Sequence, residues 1–271
     1  MTTGGRDVLE RFWNNLLIRS RTALFLVPIT IAFIIVGRIF LVIFITVIIF
    51  LALQELTDLI RRQNENLSPF PVLIPPLPMP ILIYLGLPFF SIIIVLVIVI
   101  LITQVLQSEL DEFQRSTSLS IFSLIYLGLL PSTVIPLRGF GVFYCLVPFL
   151  ITWINDTGAY LFGSFFGRKK LSVRLSPRKT WEGTLAGILT SIGAIHLLAI
   201  VFPLGFSLIK LWVIGFTLPI ISLFGDLFES GLKREVGMKD TSAFLPGHGG
   251  VLDRIDSLLF VIPYFYLLMT L

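Results

Sequence analysis

A single cysteine, Cys145, occurs in the 271 residues, so no intrachain disulfide can form. Inside an apolar run it reads as a small buried packing residue. Charge is scarce as well. Asp, Glu, Lys and Arg make up 13% of the chain, against about a quarter in soluble domains, which excludes an ordinary water-soluble fold. The N-terminal MTTGGRDVLERFWNNLLIRSR mixes acids with bases and has no small-residue cleavage site before a full-length apolar span. It therefore reads as an amphipathic segment on the cytoplasmic surface, not as a cleaved signal. Continuous apolar runs replace the apolar–polar alternation of an outer-membrane barrel. The internal repeats frequent in secondary transporters are not visible either.

What fills the chain is hydrophobic: 56% of its residues, in runs such as Ile39–Leu53, Ser91–Ile102 and Leu211–Leu223. A spanning helix needs about 20 mostly apolar residues, and the chain offers many such windows. The fold class expected is an all-α polytopic integral membrane protein. Helices are predicted at 22–36, 39–60, 71–87, 89–107, 118–136, 140–161, 183–203, 207–229 and 251–270. Pro69, Pro71, Pro75, Pro76, Pro78, Pro80 and Pro88 crowd the third and bend or break helix, so one kinked span competes with two short ones. The positive-inside rule arbitrates. With nine spans and a cytoplasmic N-terminus, 17 of the 20 basic residues face the cytoplasm, all but Arg38, Arg138 and Lys210. Merging helices three and four would separate the later basic loops from Arg61 and Arg62. The reading divides the chain into an N-terminal region of about five helices, 1–140, and a C-terminal catalytic region, 141–271, with cytoplasmic polar loops at 162–182 and 230–250. Water-soluble nucleotides are available on that side.

Three polar segments interrupt the hydrophobic background. Asn155 and Asp156 sit near the cytoplasmic end of helix six, with Gly158, Ala159 and Gly163 permitting close helix approach; an interfacial cap is the bland alternative for Asp156. Six bases lie between Arg168 and Lys179. Contact with anionic headgroups explains Arg168, Lys169 and Lys170. Ser176-Pro-Arg178-Lys179-Thr180, before a helix start, instead gathers hydroxyls, an ammonium and backbone N–H groups suited to an anion. Glu182 in the first turn suits the helix dipole, and that structural role is sufficient for it.

The third segment is the stretch from Ser230 to Asp256, SGLKREVGMKDTSAFLPGHGGVLDRID. Charges are costly at membrane depth and mark functional sites there. Asp226 and Glu229 share a helix face at i, i+3, as do Asp253 and Asp256. Two such faces meeting across a bundle supply oxygen ligands for Mg²⁺, which takes one or two carboxylates plus substrate phosphates. Lys233, Arg234, Lys239 and Arg254 then neutralise phosphate charge. A solvated, salt-bridged loop is the alternative, but it leaves Asp253 and Asp256 inside a hydrophobic helix unexplained. His248, flanked by Gly247, Gly249 and Gly250, fits backbone that approaches a ligand, or a plain turn. His196 reads as a packing residue. Glu55 and Asp58, near the cytoplasmic end of helix two, are weaker candidates to line the cavity, and capping explains them nearly as well.

These residues resemble the CDP-diacylglycerol synthases, or phosphatidate cytidylyltransferases. Ser230, Lys233, Arg234, Lys239, Asp240, Pro246, His248, Gly249, Gly250, Asp253, Arg254 and Asp256 match that family's pattern without a gap over 27 residues. Asn155-Asp156, Ser176-Pro-x-Lys-Thr-x-Glu-Gly and Gly225-Asp226-Leu are similar to it too. The resemblance covers residues 150–260. It implies cytidylyl transfer from CTP to phosphatidic acid at a bilayer, giving CDP-diacylglycerol and pyrophosphate, in the inner membrane with the site facing the cytoplasm. It also implies Mg²⁺ dependence, a second monovalent cation such as K⁺, and by analogy a homodimer; no nucleic-acid partner is expected. The expected catalytic residues are Asp226, Lys233, Arg234, Lys239, Asp253, Arg254 and Asp256. The expected substrate contacts are Asn155, Asp156, Ser176, Lys179, Thr180, Ser230, His248, Gly249 and Gly250. Metal is expected on Asp226, Glu229, Asp253 and Asp256, with Asp226 and Asp253 as the first choice and Asp256 or Glu229 in support, and which of these four bind it stays open. A CTP-dependent polyprenol kinase, which would release CDP, and a transporter of a phosphorylated solute are the rival readings.

Overall fold

The computed structural model describes residues 26–62, 70–107, 110–238, 241 and 249–271; the predicted amphipathic N-terminal segment lies outside them. With no water to satisfy it, apolar backbone closes its hydrogen bonds internally, and the described chain is almost all helix. In order come α1 (Leu26–Val36), α2 (Arg38–Arg61), the short α3 (Phe70–Leu73) and α4 (Met79–Tyr84), α5 (Phe89–Gln107), α6 (Leu110–Gly139) and α7 (Val142–Phe166). An antiparallel hairpin, β1 (Lys170–Ser172) and β2 (Ser176–Thr180), precedes α8 (Trp181–Val201), α9 (Leu208–Glu235) and α10 (Leu252–Thr270).

Among the described residues, six helices, α2 and α5 to α9, are long and apolar enough to cross a membrane. One apolar core runs through the bundle, from Ile34 and Ile49 through Leu127 and Ile151 to Ile214 and Phe265, all fully or almost fully buried. The outer surface is apolar too: Phe90, Val105, Leu106, Ile200 and Ile209 are each at least 73% exposed. Hydrocarbon is the solvent that such a surface matches, so this is an all-α membrane protein.

The helix predicted over 71–87 is not continuous. Pro75, Pro76 and Pro78 fall in a turn over residues 74–78, where missing N–H groups and ring clashes stop α3 and delay α4. Ser123 Oγ donates to the Val72 carbonyl at 2.9 Å and satisfies an acceptor near that break. α6 is longer than the predicted 118–136 and holds a π-helical stretch, Leu124–Leu129. Arg138, near its end, donates from Nε to Ile34 O at 2.6 Å and from Nη2 to Ile35 O at 3.2 Å, closing the C-terminus of α1. The polar loop predicted over 162–182 is also more ordered than expected. α7 continues to Phe166, and the remainder pairs Lys170 with Thr180 and Ser172 with Ser176.

Five elements bring polar groups to one end of the bundle: α2, α7 and α9 with their C-terminal parts, β2, and α10 with its N-terminus. α7 and α8 cross there closely. A Cβ at Gly187 would stand 2.5 Å from Asn155 Oδ1 and 3.2 Å from the Ala159 Cβ, so only glycine lets the backbones approach this far. Gly187→Val is expected to destabilise the protein by about 1–3 kcal/mol through overpacking. The check is a lowered thermal unfolding midpoint in detergent; an unchanged midpoint would show that the crossing tolerates a side chain.

Candidate active site

α9 and α10 run antiparallel, so their acidic pairs meet crosswise in two layers. The outer layer is built on Lys233, whose ammonium lies 2.5 Å from Glu229 Oε2 and 2.5 Å from Asp253 Oδ1. Glu229 is fully buried; its Oε2 takes the Lys233 ammonium as an ion pair, while its Oε1 has no hydrogen-bond partner among the described residues. Asp253 is amply supplied. Its other oxygen accepts from Thr241 N at 3.1 Å, Thr241 Oγ1 at 2.9 Å and Gly250 N at 2.7 Å.

Glu55 completes this layer from α2. Its carboxylate accepts from Val251 N and Leu252 N, both at 2.8 Å, and from Thr241 Oγ1 at 3.1 Å. The first N–H groups of a helix have no partner within it, and a carboxylate there also suits the helix dipole. Glu55 thus caps α10 across 196 residues of sequence. The helix it caps is thus not its own, and Asp58, one turn on, is exposed.

The inner layer lies one helical turn deeper. Lys179 from β2 meets Asp226 Oδ2 at 2.7 Å, and Ser230 Oγ donates to Asp226 Oδ1 at 3.3 Å. The charges that bear most on Asp256 are those of Asp226, Asp156 and Lys179. Asn155 Nδ2 donates to Asp156 Oδ1 at 3.2 Å. Three carboxylates from three helices, α7, α9 and α10, therefore bear on one another, with Lys179 beside them. α10 is seated tightly against α9 here: a Cβ at Gly225 would lie 2.7 Å from Asp256 O, and Ser257 Oγ donates to Ser222 O at 3.1 Å.

A profile of the cytidylyltransferase family matches residues 17–271. The chain belongs to that family. Three curated relatives named phosphatidate cytidylyltransferase are similar to it over part of its length: 44% identity over 153 residues with the protein of Staphylococcus aureus (strain COL), 41% over 152 with that of Staphylococcus haemolyticus (strain JCSC1435), and 42% over 153 with that of Staphylococcus epidermidis (strain ATCC 35984). Each alignment covers 55% of this chain and 57% of the relative, so the chain spans little more than half the length of the relatives it matches.

In this cytidylyltransferase-family chain the predicted site residues separate by what they touch. Asp226, Asp256, Asp156, Asn155, Lys179 and Ser230 come together. Arg234 turns aside, donating from Nε to Leu175 O at 3.3 Å and from Nη1 to Met238 O at 2.9 Å, which ties α9 to the hairpin. Thr180 accepts from Gly183 N at 3.2 Å and caps α8 itself. Glu182 accepts from Arg168 N at 3.0 Å and Lys169 N at 3.2 Å, locking the hairpin to the helix. Ser176 sits in β2 and pairs with Ser172. Arg254 is exposed. Lys239 and His248 lie outside the described residues, while Gly249 lies beside Gly250, whose N–H serves Asp253.

Among the described residues no three acidic, histidine or cysteine side chains are gathered closely enough to cage a metal ion. The donor chemistry still divides the four expected ligands. Asp253 is committed to four donors and Glu229 to Lys233, whereas Asp226 and Asp256 bear on one another as like charges, with Asp156 near and Lys179 paired to Asp226. That set is the one that fits a hard divalent cation, which takes few protein carboxylates. The sequence reading missed Thr241, which has no local signature, and the wedge position of Lys233 between two acids. Glu55→Ala is expected to cost about 1–3 kcal/mol, because it leaves buried N–H groups of α10 unpaired. Thermal unfolding of that variant beside Asp58→Ala checks it: the first midpoint falls and the second hardly moves.

Proposed function

We propose that the chain transfers a cytidylyl group from CTP to phosphatidic acid, giving CDP-diacylglycerol and pyrophosphate. The observation that carries this reading is the inner layer, Asp156, Asp226 and Asp256 with Lys179, in a chain of the cytidylyltransferase family whose matched relatives bear the name phosphatidate cytidylyltransferase. A phosphate oxygen of the lipid attacks the α-phosphorus of CTP in line. The bond between the α- and β-phosphates breaks, and pyrophosphate leaves with that electron pair. Phosphatidate is already an oxyanion near neutral pH, so no strong general base is needed. The difficulty is two anions approaching one another, and its remedy is positioning and preorganised charge.

Lys179, Lys239 and Arg254 hold phosphate oxygens in this reading. Lys179 leaves Asp226 to do so, and Asp226 and Asp256, with Asp156 beside them, are then free to hold Mg²⁺. When bound, that ion supplies positive charge against phosphate oxygens. Lys233 stays between Glu229 and Asp253 and keeps α9 and α10 in register. The diacylglycerol tails need no pocket of their own if the site opens sideways into the bilayer.

The proposal includes nine crossings with a cytoplasmic N-terminus, in the inner membrane, and a site facing the cytoplasm. Here α3 and α4 together make one broken crossing, and α1 and α10 make the first and last. Support comes from the 17 of 20 basic residues that this arrangement puts on one side and from the gathering of polar groups at one end of the bundle.

The test is incubation of purified protein with CTP labelled at the α-phosphate, phosphatidate and Mg²⁺. Label enters the lipid and unlabelled pyrophosphate is released; release of CDP, or no labelled lipid, overturns the reading. Within that assay, Asp256→Asn is expected to lower turnover by roughly 10²-fold or more with little change in stability. Asp253→Asn is expected to lower both, because Asp253 also holds Lys233, Thr241 and Gly250. Thermal unfolding measured beside turnover separates the two outcomes.

A further inference from the structure

The Tyr126 hydroxyl belongs to none of the groups assigned so far. Its residue is 3% exposed, and its oxygen has no hydrogen-bond partner among the described residues. A buried phenol ordinarily finds one, since an unmade bond leaves the desolvation cost standing. The ring itself is well held. It stacks on Phe122 with centroids 5.1 Å apart, tilts against Phe228 at 5.2 Å and meets Phe260 edge-on at 6.4 Å. Phe228 adjoins Glu229 on α9, and Phe260 lies one turn beyond Asp256 on α10. Accordingly the charges that bear on the hydroxyl are those of Asp256 and Glu229.

Local structure puts it there. Tyr126 occupies the π-helical stretch Leu124–Leu129 of α6. Pro131 follows, and it lacks the N–H that an α-helical ladder would return to Leu127. Such single π turns rotate a side chain out of α-helical register and recur at functional sites. Glu229 is fully buried too; its Oε2 takes the Lys233 ammonium, and its Oε1 has no hydrogen-bond partner among the described residues. A phenol without an acceptor and a carboxylate oxygen without a donor thus lie near enough for the Glu229 charge to bear on the phenol. The chemistry that joins them is water, which accepts from a phenol and donates to a carboxylate; buried polar groups that lack protein partners are commonly bridged this way.

We propose that Tyr126 is a positioning residue of this site, its hydroxyl holding the Glu229 carboxylate through bound water and thereby setting Lys233 against Asp253. Glu229 is otherwise oriented through its ion pair with Lys233. The N-terminal half of the chain then contributes twice to the C-terminal site: Glu55 caps α10, and Tyr126 orients Glu229 on α9. The effect on turnover rests on the cytidylyl-transfer reading; the effect on stability does not.

The experiment is a double-mutant cycle of Tyr126→Phe and Glu229→Gln, read both as the thermal unfolding midpoint in detergent and as lipid labelling from CTP. Tyr126→Phe keeps the ring and removes one oxygen. It is expected to lower the midpoint by about 2–4 °C and turnover about fivefold or more, and both effects are expected to shrink in the Glu229→Gln background. An orphan hydroxyl that does nothing gives the opposite sign: Tyr126→Phe leaves the midpoint unchanged or raises it, with turnover intact, and that overturns the proposal. Full additivity of the two substitutions overturns it as well. Should Glu229→Gln fail to fold, the sign of the Tyr126→Phe shift decides alone. Should the parent protein label no lipid, the activity reading fails, while the stability cycle still decides Tyr126.

Discussion

Lys233 stands between Glu229 and Asp253 at 2.5 Å from each, at the end of a bundle that is otherwise apolar inside and out. Removing one member of a buried ion pair typically costs about 3–5 kcal/mol, because the remaining charge stays desolvated. That penalty makes the triad a strong constraint on the approach of α9 to α10. The head of α10 is then fixed from three directions: by Lys233 and Thr241 through Asp253, and by Glu55 through the N–H groups of Val251 and Leu252. With the outer turn locked, Asp256 is held one turn deeper, beside Asp226. The inner carboxylates therefore keep their mutual repulsion because the outer layer holds them together.

This arrangement separates two tasks that a list of charged residues merges. The outer acids have protein partners and serve the architecture. Among the inner acids, Asp226 pairs with Lys179, which comes from a hairpin and is about a quarter exposed. A cation that is partly solvated and attached to a two-stranded ribbon is well placed to exchange a carboxylate for a phosphate. The proposed chemistry needs that exchange, because a dianionic or polyanionic substrate adds charge to a site that is already negative.

Much of this was legible in the sequence, and what was not has physical causes. The run Phe89–Gln107 matches its predicted helix end to end, because nineteen residues without a charge, fifteen of them apolar, leave no other way to satisfy the backbone in lipid. Prolines 75, 76 and 78 announced a break, yet hydropathy alone does not say whether a break kinks a span or divides it. The i, i+3 acids marked two polar faces correctly. Which acid opposes which depends on the antiparallel register of α9 on α10, fixed at the Gly225–Asp256 contact and by Lys233, and register is a tertiary property. Glu55 and Tyr126 lie in the half of the chain where the family motifs are absent. Their partners are a hundred or more residues away, so no local pattern betrays them. The hairpin was hidden for another reason: strands of three and five residues carry too little periodicity to stand out from a basic loop.

The account's central claim is this division between an architectural outer layer and a working inner one. Calorimetric titration of Mg²⁺ into purified, folded Asp256→Asn and Asp253→Asn proteins, in the presence of CTP, tests it most directly. The account predicts that Asp256→Asn loses most of the binding heat that the parent protein gives, while Asp253→Asn, once shown to be folded, retains it. Loss of binding in Asp253→Asn with full binding in Asp256→Asn would reverse the two layers and contradict it.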